Sequence, residues 1–215
     1  MRRSDGGERY ADRLTLLAAR ALFFERAGLG PDGGYGARWV RVEARPVPVY
    51  FPNTRCRVEA AKLHDLHHVA TEYGTDWPGE AEVAAWELAG GCGRHGWAWL
   101  LDLGAFAVGM VLVPRRLFRA FVRGRRSTRS CPNLYRAGLA EAQLGAVTVG
   151  ALRERLGVRA AVPVAVPVAV APVRTRGADV AAFAGWCLVA VLWHAAAGLL
   201  GALAARTVAR RAGLL

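Results

Sequence analysis

The feature that most constrains the fold is a long apolar run near the C-terminus. Residues 180–205 are apolar throughout except for His194, and Arg206, Arg210 and Arg211 follow the run. About 20 helical residues suffice to cross the hydrocarbon core of a bilayer. A helix that is apolar on every side also has no face to present to water. The run therefore predicts a transmembrane helix, with a hydrophobic helix that docks on a globular domain as the alternative.

A low-complexity segment precedes that run. Residues 160–173 read AAVPVAVPVAVAPV, and spaced prolines favour an extended, semi-rigid tether over a packed element. The sequence thus divides into a helical domain over 1–157, a Val/Pro-rich tether over 158–178, and a membrane helix with a basic tail over 179–215.

Charge and hydrophobicity together favour a membrane surface. The formal net charge is +12 and the pI is near 10.8, yet 53% of the residues are hydrophobic. In RRLFRAFVRGRR, residues 115–126, arginines alternate with Leu, Phe and Val. Such a basic amphipathic segment beside apolar helices favours anionic lipid headgroups, and not nucleic acid, as the partner.

The compartment is predicted from two further observations. The N-terminal residues lack the apolar region of a secretory signal, and the four cysteines form no CxxC pair. We therefore expect reduced thiols and a protein at the cytoplasmic face of the bacterial inner membrane.

The globular part is predicted to be mainly α-helical. Apolar spacing and breakers indicate helices over 11–28, 54–73 and about 76–88. Residues 39–53 alternate like a strand, but their three prolines indicate an edge strand or an extended arm. In the apolar segment 96–114 a buried core helix is favoured over a membrane span, because an acid such as Asp102 is costly in a bilayer.

The densest group of chemically competent side chains lies in KLHDLHHVATEYGTDWPGE, residues 62–80. Side chains turn by about 100° per helical residue, so His64, Asp65 and His68 share one sector and His67 falls at its edge. Imidazoles at i and i+4 can reach one cation, and a carboxylate between them can bind it or orient a ring. The GTDWPG turn brings Glu80 opposite them; alternatively, Glu80 only complements the dipole of its own helix.

This pattern carries a family resemblance. His64-Asp65-x-x-His68, then eleven residues, then Glu80 resembles the zinc motif of a coenzyme Q (ubiquinone) biosynthesis family, here called the Coq-four family after the fourth protein of that pathway. YFPNTR before the motif and NLYR at 133–136 support the likeness, which covers about residues 47–156. It implies that His64, Asp65, His68 and Glu80 are metal ligands, with zinc as the cofactor and iron or manganese as alternatives.

The resemblance also implies a function. Members are described as membrane-associated helical proteins that hold a polyprenylated ring intermediate near the metal, assemble other quinone-biosynthesis enzymes, and replace the ring carboxylate by a hydroxyl in an oxidative decarboxylation. The expected partners here are thus a polyprenyl quinone precursor, the anionic membrane surface and those enzymes, with a homo-oligomer as a further expectation.

Two features depart from the family. The terminal apolar helix is an addition, and Glu72 stands where members usually have Gly. On a continued helix Glu72 would lie between Asp65 and His68, which makes it the candidate catalytic residue, as a general base on metal-bound water. Alternatively, Glu72 is an additional metal ligand, or it faces solvent if the helix ends before it.

Three other functions remain open. A metalloprotease of the HExxH kind would use Asp65 as its base. An HD-type phosphohydrolase would need a histidine upstream of the HD pair, where the sequence has none. A non-catalytic scaffold or lipid-binding protein would hold a structural metal in a closed shell of four protein ligands, whereas an open position beside an apolar cavity would favour catalysis.

Overall fold

The computed structural model describes residues 10–42, 48–158 and 175–211. Most of the predicted Val/Pro tether lies outside these residues. The described part is mainly helical, as predicted, with one short β-hairpin. The helices are α1 (Leu16–Ala27), α2 (Arg55–Thr71), α3 (Trp77–Gly90), α4 (Gly96–Leu112), α5 (Pro114–Ser127), α6 (Leu134–Ala137), α7 (Val149–Arg155) and α8 (Gly177–Arg211), and the strands are β1 (Trp39–Val42) and β2 (Val49–Pro52).

Helices α2 and α3 begin at side-chain caps. The hydroxyl of Thr54 and the carboxylate of Asp76 each accept a hydrogen bond from the backbone N–H three residues on, at 3.3 and 3.0 Å. Each cap satisfies an N–H that the helix itself leaves unpaired. Helix α2 ends at Thr71 because Glu72 adopts a left-handed conformation with φ 62°.

The turn between α2 and α3 requires glycine at one position. A Cβ atom added at Gly79 would overlap the backbone of Gly74, so the start of α3 touches the turn at main-chain level. This contact places the next residue, Glu80, against the last two turns of α2.

The buried core is centred on α3, which packs against both α4 and α5. Its Trp86 is fully buried, and α5 approaches so closely that a Cβ at Gly124 would overlap the Trp86 backbone. Phe106 of α4 and Phe121 of α5 are also fully buried. Burying each such side chain stabilises the fold by about 1.5–3 kcal/mol.

Helix α4 is a core helix with an apolar outer face. Its Asp102 is only 3% exposed, so the preference for a core helix at this position is confirmed. On the other side of α4, Leu100, Leu101, Val111 and Leu112 are exposed. The helix thus presents apolar side chains both toward the core and toward the surface of the protein.

The strand-like segment forms an antiparallel hairpin. β1 pairs with β2 in a register that sets Val40 opposite Phe51 and Arg41 opposite Tyr50. Phe51 stacks on Trp97 in the first turn of α4, with ring centroids 5.5 Å apart. The hairpin is therefore attached to the N-terminal end of α4.

Helix α5 contains the predicted basic segment. Several of its arginines bind polar groups of the protein itself. For example, Arg116 binds Glu82, Arg123 binds the Thr71 carbonyl, and Arg125 binds Asp179. Arg115 and Arg119 are exposed, and neither forms an ion pair with the rest of the described chain.

Helix α8 is long and apolar enough to cross a membrane, over Gly177–Thr207. Its first turns pack on the helical domain, where Phe183 contacts Phe106, Phe118 and Phe121. Every residue from 191 to 207 is exposed. The helix therefore begins at the domain surface and then leaves it.

Candidate metal centre

Two helices bring three of the four predicted ligands together. α2 contributes His64 and His68, one turn apart, and α3 contributes Glu80 from its first turn. The two Nε2 atoms are 3.0 Å apart. Oε2 of Glu80 lies 3.3 Å from Nε2 of His64, and Oε1 of Glu80 lies 3.5 Å from Nε2 of His68. These three residues could hold a metal ion.

These separations are close to the spacing of ligand atoms around a metal ion. A tetrahedral ion with ligand atoms at about 2.0–2.1 Å needs those atoms about 3.3–3.4 Å apart. The observed range of 3.0–3.5 Å brackets that value. Two imidazole nitrogens and one carboxylate oxygen are ligands that zinc, iron and manganese accept. The side chains therefore fit a metal ion.

Hydrogen bonds at the opposite ring nitrogens orient both imidazoles. Nδ1 of His64 lies 3.0 Å from Glu87, and Nδ1 of His68 lies 3.2 Å from the carbonyl oxygen of Tyr73. A carboxylate or carbonyl oxygen only accepts, so each Nδ1 carries a hydrogen, and Nε2 of each ring in its neutral form is left with a lone pair. Two facing lone pairs need a cation between them, either a proton or a metal ion.

The short distances between these groups shift the pKa values of His64 and Glu80. Burial lowers the pKa of His64, but the carboxylates of Glu87 and Glu80 outweigh it and raise that pKa well above its usual value. Burial raises the pKa of Glu80, but His68 and His64 hold it well below its usual range. The carboxylates around His64 and His68 therefore favour a positive charge between the two rings.

A buried carboxylate that sequence reasoning missed lies beneath the site. Glu87 has no exposed surface and bonds to both His64 and His67. Against it lies Asp102, whose pKa is raised by burial and by Glu87. The sequence held a signal for Glu87, because it follows Glu80 by two turns and so shares its face of α3.

His67 has a structural role, as expected for a residue outside the ligand set. Its ring is fully buried, with Nδ1 2.5 Å from Glu87 and Nε2 accepting from the Leu134 backbone N–H at 3.0 Å. It therefore links the floor of the site to α6.

Asp65 does not lie among the converging ligand atoms. Its carboxylate accepts a hydrogen bond from the hydroxyl of Tyr35, in the loop between α1 and β1. Burial raises the pKa of Asp65. The helical wheel gave the sector of Asp65 correctly, but the loop that covers this sector binds the carboxylate.

Glu72 also lies away from the group. Because α2 ends before it, its side chain turns to the buried guanidinium of Arg153, with a nitrogen–oxygen distance of 2.7 Å. Arg153 additionally binds Asp12 and the carbonyl of Ala70. Glu72 is therefore not in the position of a base over the metal, of an additional ligand or of a solvent-facing residue, the three interpretations of the sequence. Instead, it anchors the end of α2.

One side of the group is accessible. The side chains of His64 and Glu80 are 23% and 34% exposed, whereas Phe23 stacks on the His68 ring and closes the other side. An ion held by these three residues would keep a position open for water or a small ligand, which is the arrangement of a catalytic site.

Comparison of the chain with protein-family models, with curated proteins and with solved structures gives no match.

Proposed function

We propose that this chain is a membrane-anchored metal-binding protein that holds a polyprenylated ring intermediate of ubiquinone or related isoprenoid-quinone biosynthesis. The observation that carries the proposal is the convergence of His64, His68 and Glu80 within 3.0–3.5 Å, at the spacing of the Coq-four motif. The proposed reaction is oxidative decarboxylation, in which a hydroxyl replaces the ring carboxylate and the carboxylate leaves as CO2. This replacement removes two electrons from the substrate, so it requires an external two-electron oxidant such as dioxygen.

The proposed metal is zinc, with iron or manganese as alternatives. A bound ion would act as a Lewis acid on the ring carboxylate, and iron would add redox capacity. In this proposal Glu87 and the Tyr73 carbonyl orient the two imidazoles, Glu80 supplies the anionic ligand, and Asp65 is held by Tyr35 beside the group.

The backbone at position 72 supports the resemblance independently of the ligands. Family members usually carry Gly there, and this chain has φ 62° at Glu72, a conformation that glycine adopts readily and other residues avoid. The chain follows the family's expected backbone although the side chain differs.

The proposed location is the cytoplasmic face of a membrane. Helix α8 supports anchorage by its length and apolar surface, and a polyprenylated substrate would partition into the same bilayer. Association with other quinone-biosynthesis enzymes belongs to the proposal through the family resemblance alone.

A non-catalytic scaffold with a structural metal is the second candidate. It would require a closed shell of protein ligands, and the turn of Asp65 toward Tyr35 leaves three convergent side chains. The same orientation weighs against an HDxxH metallohydrolase, since the base of such an enzyme must reach metal-bound water.

The test is metal analysis of the full chain purified in mild detergent. We expect about one equivalent of metal in the wild type and its loss in the His64→Ala/His68→Ala variant. The matched control is His95→Ala, a histidine outside the group, which should keep the metal. A wild type without stoichiometric metal contradicts the central claim.

Identification of the co-purified lipid by mass spectrometry tests the substrate class. A polyprenylated aromatic acid or phenol supports quinone biosynthesis. A glycerolipid alone supports the scaffold or lipid-binding alternative.

A further inference from the structure

The contacts of α8 define the direction in which it leaves the domain. Trp186 stacks on Trp99 of α4 with centroids 5.6 Å apart, and Phe183 contacts Phe106 at the same distance. Later residues of α8 thus meet earlier residues of α4, so the two helices run antiparallel. Since residues 191–207 are all exposed, α8 projects past the N-terminal end of α4.

The length of the projecting part of α8 determines how close the domain lies to the hydrocarbon core of the bilayer. Residues 191–205 measure about 22 Å as a helix at 1.5 Å per residue, but the hydrocarbon core is about 30 Å thick. The span must therefore reach back about five residues, to Trp186. The stacked Trp99 and Trp186 then lie at the depth where aromatic side chains concentrate in membrane proteins.

The β-hairpin lies at the same end of the molecule. Phe51 attaches it to Trp97, two residues before Trp99. On the opposite face of the hairpin, Trp39 and Tyr50 are 55% and 57% exposed, and Arg41 lies opposite Tyr50 in the register. Two exposed aromatic rings beside an arginine suit the boundary between water and lipid.

A basic pocket opens beside this end. Its volume is about 500 Å³, and its lining includes Arg94, His95 and Arg136 beside the ring of Tyr135. His95 directly precedes α4. Arg94 and Arg136 are exposed, and within the described residues neither forms an ion pair. Two guanidinium groups that line one pocket suit the phosphate of a lipid headgroup.

We propose that the hairpin, the first turns of α4 and the Arg94–Arg136 pocket together form a docking face that lies on the bilayer crossed by α8, and that the pocket receives an anionic lipid headgroup. This inference rests on the membrane anchorage in the proposed function, but not on the metal. The occupant is lipid because the contacts of Phe51 with Trp97 and of Trp99 with Trp186 connect this face to α8, and the two arginines supply the complementary charge.

Site-directed photo-crosslinking tests the face. A benzoylphenylalanine replaces Tyr50 in the full chain reconstituted in phosphatidylglycerol-containing liposomes. The matched control places it at Arg13, next to Asp12, which binds Arg153 at the C-terminal end of α2. The hairpin adjoins the other end of α2, about 25 Å away by helix length. We expect lipid adducts at position 50 at several times the yield at position 13. Equal yields, or crosslinks at position 50 that join two copies of the chain, overturn the proposal.

Native mass spectrometry with added lipid tests the pocket. We expect the Arg94→Gln/Arg136→Gln variant to bind phosphatidylglycerol about 10- to 30-fold more weakly than the wild type. The charge-matched control, Arg13→Gln/Arg26→Gln, should match the wild type. Equal weakening in both variants, or inorganic phosphate binding as tightly as the lipid, overturns the assignment. Metal analysis of the same samples shows separately whether the metal proposal stands.

Discussion

Nδ1 of His64 lies 3.0 Å from Oε2 of Glu87, while Nε2 of the same ring faces His68 and Glu80. One imidazole therefore connects a fully buried carboxylate to the group that could bind the metal. A partner of this kind fixes the tautomer and strengthens the nitrogen as a ligand.

Glu87→Gln is expected to weaken metal binding by about 10- to 100-fold, because the amide lacks the charge that raises the basicity of His64. Chelator competition measures the affinity. The control is Glu82→Gln on another face of α3, where the carboxylate binds Arg116. Equal affinity in Glu87→Gln and wild type would show that Glu87 does not support the site.

His67→Ala is expected to destabilise the protein by about 2–4 kcal/mol, because it opens a cavity and leaves the Leu134 N–H unpaired. Urea unfolding measures this loss, and metal stoichiometry should not change. His64→Ala should give the reverse pattern, with the metal lost and a smaller loss of stability without metal. Loss of the metal in His67→Ala, in protein that is still folded, would make His67 a ligand.

Two variants at position 72 separate backbone strain from the ion pair. Glu72→Gln keeps the left-handed backbone but removes the charge facing Arg153, and should cost about 1–3 kcal/mol. Glu72→Gly loses the same ion pair but relieves about 1 kcal/mol of strain, so it should be the more stable of the two. Metal content should equal that of the wild type in both, and a fall in either would restore Glu72 as a ligand.

Local sequence predicted the helices, because their limits are chemically marked. Thr54 and Asp76 cap α2 and α3, and glycines follow α1 and α3. The hairpin was less evident, since its pairing is not local and its prolines argue against a regular strand. Local sequence also could not assign the arginines of α5, whose partners lie on other helices.

At the candidate site, spacing identified His64, His68 and Glu80 because one turn of α2 and one tight reversal bring them together. It could not place Asp65, since a helical wheel does not show that Tyr35 would reach its sector from a distant loop. Helical spacing could also have predicted Glu87, because this residue follows Glu80 by two turns on one face of α3.

The stability of the metal-free protein and the affinity of the protein for the metal should change in opposite directions with pH. The raised pKa of His64 contributes stability that is complete below its unfolded value near 6.5 and is lost as the pH rises through the folded value. The pKa of His67 is lowered by burial, so its contribution is lost only as the pH falls.

Metal-free protein should therefore lose up to about 1.4 kcal/mol per pH unit above pH 6.5. The metal should bind more tightly over the same range, because it competes with protons for Nε2. Urea unfolding with chelator and with added metal measures both effects. Glu80→Gln, in which His64 loses one of its two carboxylates, should show a shallower slope, and an equal slope would contradict the assignment.

A chain that stops at residue 158 should self-associate. Removal of α8 uncovers Trp99, Phe106, Phe118 and Phe121, which now contact Trp186 or Phe183, and exposed apolar patches of this kind drive association. Size-exclusion chromatography without detergent measures it. A monomeric fragment as heat-stable as the full chain would show that the α8 contacts contribute nothing to the domain.

The contact between Gly79 and Gly74 has a consequence for how such a sequence can change over time. Because main chain touches main chain there, the number of residues between His68 and Glu80 is fixed by the path of the backbone. An insertion or deletion in that turn would displace the carboxylate, whereas most of its side chains can be replaced without moving it. The number of residues between His68 and Glu80 can therefore stay constant while nearly every residue between them changes.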